Sequence, residues 1–455
     1  MDILSRRNFL KLTGTTAAAL AATGLTACNK TEPPEKTAAP ATSSTSVLRG
    51  VMGSPAELPK ATGQRVVVVG GGWSGLTCAK YLKKENPSFD VVLIEKRATF
   101  MSCPMSNLWL AGMVDLEFLS HSFIDAAKNN NYIFFNATVV DVDRDSRKVY
   151  TEQGFVDYDY LVLSPGIDYD YAAIGVVDPV DVNAIKTKYP AGFMPGSEHL
   201  SIKNKLDEFE GGTFLLTVPA GNYRCLPAPY ERSCMVASVF KKNKIKGKVL
   251  LLDANPDITI KKEGFHAAFD NLYKDYIDYK TSVDIKSVDV NARTVSSEFE
   301  TFNFDDAAIY PRVRASKLIE TLGLVNPKSP QKEANIDVLK YHIIGDDRVY
   351  VAGDARPMPF SKSGNTANSE AKHVARLVAA QASGKEIAWE SPNTICYSAV
   401  KGDPIESISV NAFYKYDAGN DSFAFDKVKM FQEWDAARGQ ANLEWARGLY
   451  RDMFA

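Results

Sequence analysis

The sequence has few histidines, no excess of basic residues and no c-type haem motif, and each absence excludes a class of protein. Its 53 Lys and Arg residues are balanced by 55 Asp and Glu residues, so the net charge is −2 and nucleic acid is not an expected partner. The pattern Cys-x-x-Cys-His does not occur, so we expect no haem on this chain. We expect no metal centre either, because the five histidines do not cluster at metal-ligand spacing, and these are His121, His199, His266, His342 and His373.

The length and composition are those of an ordinary globular protein. With 455 residues, of which 45% are hydrophobic and 24% charged, the chain can form about three domains with full hydrophobic cores. This composition excludes a multi-spanning membrane protein and a long coiled coil.

The N-terminus has the pattern of an export signal. Arg6 and Arg7 stand in the run SRRNFLK, and residues 12–27 form a mildly apolar stretch diluted by five threonines and two glycines. Such a stretch is a poor permanent membrane span, which needs about 20 predominantly apolar residues. We therefore predict a twin-arginine signal over residues 1–27 and export to the periplasm in the folded state, after a cofactor has been inserted.

The end of this signal resembles a lipobox, LTAC, whose cysteine is Cys28. This pattern predicts a lipid anchor at Cys28, and an ordinary signal-peptidase site near Ala27 is the alternative. Residues 28–63 are rich in Thr, Ser, Ala and Pro without apolar periodicity, which predicts a flexible linker.

A dinucleotide-binding fingerprint follows the linker. The β-branched run 65–69 leads into GGGWSG, then a helical segment, and then a second strand that ends in Glu95. In this pattern the glycines allow close approach of a pyrophosphate to a helix N-terminus, and the acid accepts hydrogen bonds from ribose hydroxyls. The predicted contacts are Gly70, Gly72, Gly75 and Glu95.

Two later segments indicate FAD as the dinucleotide. The segment DYLVLSPG ends in Gly166, and the segment RVYVAGD ends in Asp354. Both resemble the accessory motifs of FAD-binding flavoproteins with two dinucleotide domains, in which the acid meets the ribityl and pyrophosphate region. The wide separation of the two segments predicts that the FAD domain is interrupted by an insertion.

The insertion, residues 168–315, begins a second doubly wound unit at the strand 212–219. In place of another glycine turn it continues AGNYRCLPAPYER, with prolines and bulky side chains where a phosphate would be held. We expect this unit to keep its architecture without binding NAD.

The predicted fold class is α/β, with two dinucleotide-binding, glutathione-reductase-like domains and a C-terminal α+β interface domain. After the linker, the FAD domain is predicted to comprise 64–167 and 316–384, the second dinucleotide-like domain 168–315, and the interface domain 385–455.

Several short motifs lie between residue 64 and the C-terminus, namely Cys103–Asn107, Arg224–Pro227, Pro229–Arg232, Pro357–Pro359, Lys362–Gly364, Asn393–Ser398 and Glu444–Trp445. Together they resemble the flavoprotein subunit of flavocytochrome c sulfide dehydrogenase. Besides Cys28 the chain has an odd number of cysteines, which in an oxidising compartment implies a thiol committed to other chemistry. They are Cys78, Cys103, Cys225, Cys234 and Cys396.

The resemblance implies roles for three of these cysteines. It implies that Cys103 is bonded to the 8α carbon of the flavin, the alternative being a small buried thiol. It also implies that Cys225 and Cys396 form a redox disulfide beside the flavin, where hydrosulfide can attack one sulfur and leave a persulfide. A purely structural bridge is the alternative, and Cys234 is a rival partner for Cys225.

The resemblance also implies roles for other side chains around the ring. Glu231 would take a proton from incoming sulfide; the alternatives are a solvated charge or a helix-start residue beside Arg232. Lys362, Ser363 and Gly364 would contact the isoalloxazine, and Trp445 would stack near it unless it only packs. Two departures from the family pattern, an extra residue before Cys396 and the insertion 360–361, lie next to this site.

The sequence thus predicts a periplasmic FAD oxidoreductase acting on a small sulfur substrate. It would oxidise sulfide or related sulfane sulfur and pass electrons to a separate cytochrome c subunit docked against residues 385–455. One alternative is a flavin-bearing accessory protein that maintains a sulfur-carrier partner. Another is an NAD-linked disulfide reductase, which the missing second glycine turn opposes.

Overall fold

The computed structural model describes residues 52–455. The predicted twin-arginine signal, the lipobox at Cys28 and the linker up to residue 51 lie outside the described residues. Within the described range, no helix combines the length and the apolar character that crossing a membrane requires.

Within residues 52–455 the strands fall into seven sheets of two to six strands. In chain order they are β1 (Arg65–Val69), β2 (Asp90–Ile94), β3 (Thr99–Met101), β4 (Ser120–Ser122), β5 (Ile133–Phe135), β6 (Val139–Asp143), β7 (Lys148–Thr151), β8 (Gly154–Asp157), β9 (Tyr160–Leu163), β10 (Ile167–Asp170), β11 (Gly211–Val218), β12 (Lys246–Asp253), β13 (Ile277–Lys280), β14 (Ser287–Asp289), β15 (Thr294–Ser296), β16 (Thr301–Asn303), β17 (Asp306–Ala308), β18 (Arg312–Ala315), β19 (His342–Ile343), β20 (Asp346–Val351), β21 (Thr394–Lys401), β22 (Glu406–Asp417) and β23 (Ser422–Asp435).

The helices lie between and around these strands. In chain order they are α1 (Trp73–Glu85), α2 (Ser106–Leu110), α3 (Phe123–Asn130), α4 (Pro179–Lys188), α5 (Ser197–Glu208), α6 (Ala228–Asn243), α7 (Lys262–Leu272), α8 (Lys317–Thr321), α9 (Gly364–Ala382) and α10 (Ala436–Phe454). Short 3₁₀ turns occur at Leu116–Phe118, Tyr171–Ile174 and Gly353–Ala355.

The largest sheet has the strand order β19-β20-β9-β1-β2-β5. Its central strands run parallel, and β1 pairs with β2 on one side and β9 on the other. Parallel strands covered on both faces are expected to be continuously apolar, and the four valines of β1 are buried. Strand β20 follows the insertion in the chain and pairs with β9, which precedes it. Two distant parts of the chain therefore complete one sheet.

The insertion forms a second parallel sheet with the order β13-β12-β11-β17. The C-terminal segment adds an antiparallel sheet, β21-β22-β23, and helix α10 returns to pack against α1 and α3 of the first unit. The predicted α/β fold class, with two dinucleotide-type units and a C-terminal α+β unit, is confirmed. The exact domain boundaries stay a prediction.

Candidate active site

A cavity of about 390 Å³ lies at the carboxyl ends of strands β1, β2, β9 and β20 of the first sheet, facing the loop that follows β11 and the start of α6. This is where open α/β sheets bind ligands, and the volume is typical of ligand sites. Most of the residues predicted from the sequence line it, namely Gly70, Gly72, Glu95, Cys103, Gly166, Cys225, Glu231, Asp354, Ser363, Gly364, Cys396 and Trp445. Gly75 and Lys362 do not line the cavity.

The glycine turn after β1 has the shape that a pyrophosphate site requires. Gly70 has a φ of +100°, and a Cβ on Gly75 would lie 1.7 Å from the carbonyl oxygen of Gly70. Gly75 therefore packs against the back of the turn, where a side chain would clash, and does not face the cavity. Gly72 has no atom near its would-be Cβ, and no side chain caps helix α1 at this residue. The first N–H groups of α1 are thus open toward the cavity, as anion binding at a helix N-terminus needs.

Glu95 is buried at the end of β2. Its carboxylate accepts hydrogen bonds from the N–H of Gly71 at 2.6 Å and from the side chain of Arg97 at 2.9 Å. Burial opposes ionisation, but these donors outweigh it and hold the pKa of Glu95 below its usual value. Glu95 is therefore a charged acceptor at the position where a ribose would lie.

Asp354 is buried in the turn after β20 and pairs with Arg224. The guanidinium Nε donates to the carboxylate at 2.6 Å. Burial opposes ionisation of Asp354, yet Arg224 keeps its pKa below the usual value. Arg224 precedes Cys225 in the second unit, and Asp354 belongs to the first. The ion pair therefore fixes the two units at the cavity wall, next to the Gly166 turn.

Lys362 does not take the position expected from the sequence. Its ammonium is buried against Glu333 at 2.6 Å and the carbonyl oxygen of Asp354 at 2.8 Å, outside the cavity lining. A buried ammonium needs a carboxylate, and Glu333 supplies it. What Lys362 offers the site is its backbone, because its carbonyl oxygen accepts the N–H of Cys225 at 2.7 Å.

The neighbouring residues Ser363 and Gly364 do line the cavity. Ser363 caps helix α9 by accepting the N–H of Thr366, so the positive end of this helix faces the same space. A Cβ on Gly364 would lie 2.8 Å from the ring of Trp73, which explains why glycine is needed there.

The thiols of Cys225 and Cys396 meet at the cavity wall, although they come from different units. In the structure both are free, and both line the same cavity. Cys225 is held at a φ of +58°, a rare conformation for a non-glycine residue that is typical of functional sites. Cys234 is buried within α6 and is absent from the cavity lining, so it is not placed as a partner of Cys225.

The two thiols are electrostatically unequal. The neighbouring Cys225 and, against the effect of burial, the ammonium of Lys261 lower the pKa of Cys396. The neighbouring Cys396 and burial raise the pKa of Cys225. Lys261 was missed by the sequence analysis, because KKE before a helical segment is typical of a solvated surface.

Glu231 lies beside the thiols and is held by two donors. Its carboxylate accepts the N–H of Ala399 at 2.7 Å and the amide of Asn107 at 2.9 Å. Burial raises the pKa of Glu231 to about 7. The amide oxygen of Asn107 in turn accepts from the buried Arg232. Glu231 is thus poised to exchange a proton near neutral pH.

Cys103 and Trp445 border the same cavity. Burial raises the pKa of the Cys103 thiol, and the nearby Arg224 and Arg232 oppose this effect. Among residues 52–455, the indole N–H groups of Trp73 and Trp445 are buried without an acceptor. The cavity lining thus offers two unpartnered indole donors, an open glycine turn and two helix N-termini, a set of groups that fits FAD.

In the second unit, protein side chains occupy the position where a nucleotide ribose would bind. Asp253, at the end of β12, accepts hydrogen bonds from the phenols of Tyr230 at 2.7 Å and Tyr279 at 2.8 Å. Its other oxygen accepts from Asn255. Unlike Glu95, Asp253 is fully buried and does not line the cavity, so its carboxylate is not accessible to a ribose.

Comparisons with known proteins agree with this geometry. Residues 200–311 match the family model of the sulfide dehydrogenase [flavocytochrome c] flavoprotein chain, central. Residues 64–179 match the model of pyridine nucleotide-disulphide oxidoreductases. The sulfide dehydrogenase [flavocytochrome c] flavoprotein chain of Chlorobaculum thiosulfatiphilum is 54% identical over 44 residues, which cover 10% of this chain and 92% of that sequence.

More distant relatives match over greater lengths. A type II NADH:quinone oxidoreductase of Staphylococcus haemolyticus is 23% identical over 333 residues, covering 69% of this chain and 82% of that one. The crystal structure of the sulfide:quinone oxidoreductase of Aquifex aeolicus aligns with a TM-score of 0.68 at 18% identity, covering 86% of this chain and 91% of that one. NDH2 of Plasmodium falciparum aligns with a TM-score of 0.61 at 12% identity, covering 86% and 95%. These structures share the fold.

Proposed function

Because the chain belongs to the flavoproteins of the pyridine nucleotide-disulphide oxidoreductase family and is similar to the flavoprotein chain of flavocytochrome c sulfide dehydrogenase, we propose that it oxidises sulfide or related sulfane sulfur. The observation that carries this proposal is the meeting of the Cys225 and Cys396 thiols at the wall of a dinucleotide-shaped cavity. Electrons would pass to a cytochrome c subunit, and export to the periplasm with a lipid on Cys28 belongs to the same proposal.

The working oxidised form would carry a disulfide between Cys225 and Cys396. Hydrosulfide attacks one sulfur, the S–S bond breaks, and the other sulfur leaves as a thiolate while a persulfide forms. Glu231 accepts a proton when the sulfur source arrives protonated. Bound FAD, attached through Cys103 in this proposal, would supply an acceptor for the electron pair and release the electrons singly.

NAD is a poor partner for this chain. The turn after β11 holds the buried Tyr223 and runs into Pro227, which leaves no glycine cradle for a pyrophosphate. Asp253 is already satisfied by two tyrosines. The electrons are therefore proposed to come from sulfur rather than from a nicotinamide, unlike those of the relative named for NADH.

Anaerobic titration of the purified protein tests the proposal. We expect sulfide to bleach the visible flavin absorbance and NADH to leave it unchanged. Cytochrome c and a soluble quinone are then added separately to identify the acceptor. Cys225→Ser and Cys396→Ser should abolish bleaching by sulfide, whereas Cys234→Ser, a matched change in a buried thiol outside the cavity, should not. Bleaching by NADH would contradict the proposal.

A further inference from the structure

Lys261 is a buried cation beside one of the two thiols. Its backbone has a φ of +55° just before helix α7, and the residue is only 1% exposed. The ammonium donates to the hydroxyl of Ser398 at 2.6 Å and lies 3.4 Å from the carbonyl oxygen and 3.9 Å from the sulfur of Cys396. Lys261 does not line the cavity, so it approaches Cys396 from within the protein.

No carboxylate of the described residues neutralises this ammonium at ion-pairing distance. The salt bridges within residues 52–455 do not include Lys261, whereas its neighbour Lys262 pairs with Asp257 at 2.6 Å. The charged and titratable groups that face the Cys396 sulfur are Lys261, Cys225 and Glu231. Burying an unpaired cation is costly unless an anion forms next to it.

Cys396 is the group beside Lys261 that can become that anion. The charged or ionisable groups that act most strongly on Cys225 are the thiols of Cys396 and Cys103 and the carboxylate of Glu231, which disfavour its thiolate. Its own N–H donates to the carbonyl oxygen of Lys362. The two sulfurs are therefore unequal as leaving groups, because thiol–disulfide exchange favours departure of the sulfur that is more stable as a thiolate.

We propose that Lys261 makes Cys396 the sulfur that leaves as a thiolate, so that the incoming sulfur attaches to Cys225. This inference rests on the proposed function and adds the direction of the attack. Hydrosulfide forms an S–S bond to the Cys225 sulfur while the Cys225–Cys396 bond breaks. The electron pair of the broken bond stays on the Cys396 sulfur, and the negative charge of hydrosulfide thus ends as a thiolate facing Lys261.

The first test measures the reduced thiols without any turnover. Iodoacetamide alkylation of the reduced full-length protein is followed at each cysteine by peptide mass spectrometry from pH 5 to about 10, the range in which thiols with shifted pKa values titrate. In the wild type we expect Cys396 to react at lower pH than Cys225. Lys261→Met should slow alkylation of Cys396 at pH 7 about tenfold, because loss of an opposite charge at this distance raises a pKa by about 1–3 units.

Lys262→Met is the matched control. Lys262 carries the same charge one residue away, but its side chain is 54% exposed and pairs with Asp257. Its removal should leave the alkylation rate of Cys396 within about twofold of the wild type, since exposed charges are screened by water. An unchanged Cys396 rate in folded Lys261→Met protein overturns the inference.

The second test needs only the wild type, so it stands if the Lys261 variant does not fold. The oxidised protein is treated with sodium sulfide, capped with iodoacetamide and digested. We expect the extra sulfur on Cys225 and a singly alkylated Cys396. Extra sulfur on Cys396 overturns the inference even if sulfide bleaches the flavin. Conversely, a visible flavin absorbance that sulfide does not change contradicts the proposed function. Unequal alkylation of the two thiols would still support the effect of Lys261.

Discussion

The carboxylate of Glu231 accepts the backbone N–H of Ala399 at 2.7 Å. Glu231 lies in the first turn of α6, just after Cys225, and Ala399 lies on β21, which carries Cys396. One acid thus joins the two elements that bring the thiols together. Its burial gives it a proton affinity suited to neutral pH.

Glu231→Gln should lower kcat/KM for sulfide about a hundredfold near pH 7, because general-base catalysis is worth about 10²–10⁴ and both hydrogen sulfide and the Glu231 carboxylate are present at that pH. The measurement is the ratio of variant to wild-type kcat/KM across pH. The ratio should be lowest near pH 7 and rise on both sides, because Glu231 is itself protonated at lower pH and hydrosulfide arrives without the removable proton at higher pH. A ratio that does not change with pH would contradict a role for Glu231 in proton transfer.

The same variant should change the pH dependence of stability. The pKa of Glu231 is raised from 4.5 to about 7, so the folded state loses stability relative to the unfolded state as pH rises through that window. The full penalty, about 3 kcal/mol at 1.36 kcal/mol per unit, is present above pH 7. The stability advantage of the wild type over Glu231→Gln should therefore shrink between pH 4.5 and 7. Urea unfolding at several pH values measures it.

Cys103→Ala tests covalent attachment of the flavin. After acid precipitation, the wild type should keep its yellow colour with the protein pellet, and the flavin should remain on a peptide that contains Cys103. The variant should release free FAD into the supernatant, because an alanine side chain cannot form the thioether. Cys78→Ala is the control, since Cys78 is buried in α1 away from the cavity. Free FAD from the wild type would contradict the attachment.

Local patterns were enough to predict the fold and the nucleotide side of the cavity. The run of valines, the glycine turn and Glu95 lie within one βαβ unit, so their spacing alone fixes their geometry. Cys225 and Cys396 come from elements far apart in the chain, and only the resemblance to a family brought them together. The structure then placed both at one wall of the cavity.

Lys362 and Lys261 show what local patterns cannot supply. Nothing near Lys362 in the chain indicates that Glu333 neutralises it, because that pair depends on the packing of a separate loop. Lys261 looks like a solvated charge beside Lys262, yet a left-handed backbone turns it into the protein while Lys262 stays outside. Whether a charged side chain is buried or exposed depends on packing against residues far away in the chain. A short window of sequence carries no information about those residues.

Gly72→Ala tests whether the glycine turn binds FAD. We expect the variant to fold normally, because no atom lies near the new methyl group and Gly72 has a negative φ. The methyl group would instead occupy the cavity where the pyrophosphate approaches the N-terminus of α1. We expect this clash to weaken FAD binding about tenfold, which corresponds to a loss of about 1.4 kcal/mol of binding free energy.

The measurement is the affinity of the apoprotein for FAD in the Cys103→Ala background, so that a covalent bond between Cys103 and the flavin cannot mask a loss of affinity. Gly448→Ala is the matched control, since its new methyl also meets no atom but lies in α10. It should keep wild-type affinity and raise stability by up to about 1 kcal/mol, as alanine does in a helix. Equal FAD affinity in the two glycine variants would contradict the proposed pyrophosphate position.

The buried ion pair of Arg356 and Glu370 should matter more for stability than any exposed pair. The two side chains meet at 2.9 Å and are almost completely buried, and Arg356 also donates to the carbonyl oxygens of Met358 and Phe360 in the loop that carries the insertion. Arg356→Met leaves a buried carboxylate unpaired and should destabilise the protein by about 3–5 kcal/mol.

Urea unfolding of three variants separates charge from packing. Adding Glu370→Leu to Arg356→Met should recover part of the lost stability, because the second change removes the orphaned carboxylate. Arg376→Met is the matched control: its pair with Glu390 is exposed, and its loss should cost no more than about 1 kcal/mol. A double variant less stable than Arg356→Met alone would show that the carbonyl contacts of Arg356 or the packing of Glu370, rather than an unpaired charge, hold this loop in place.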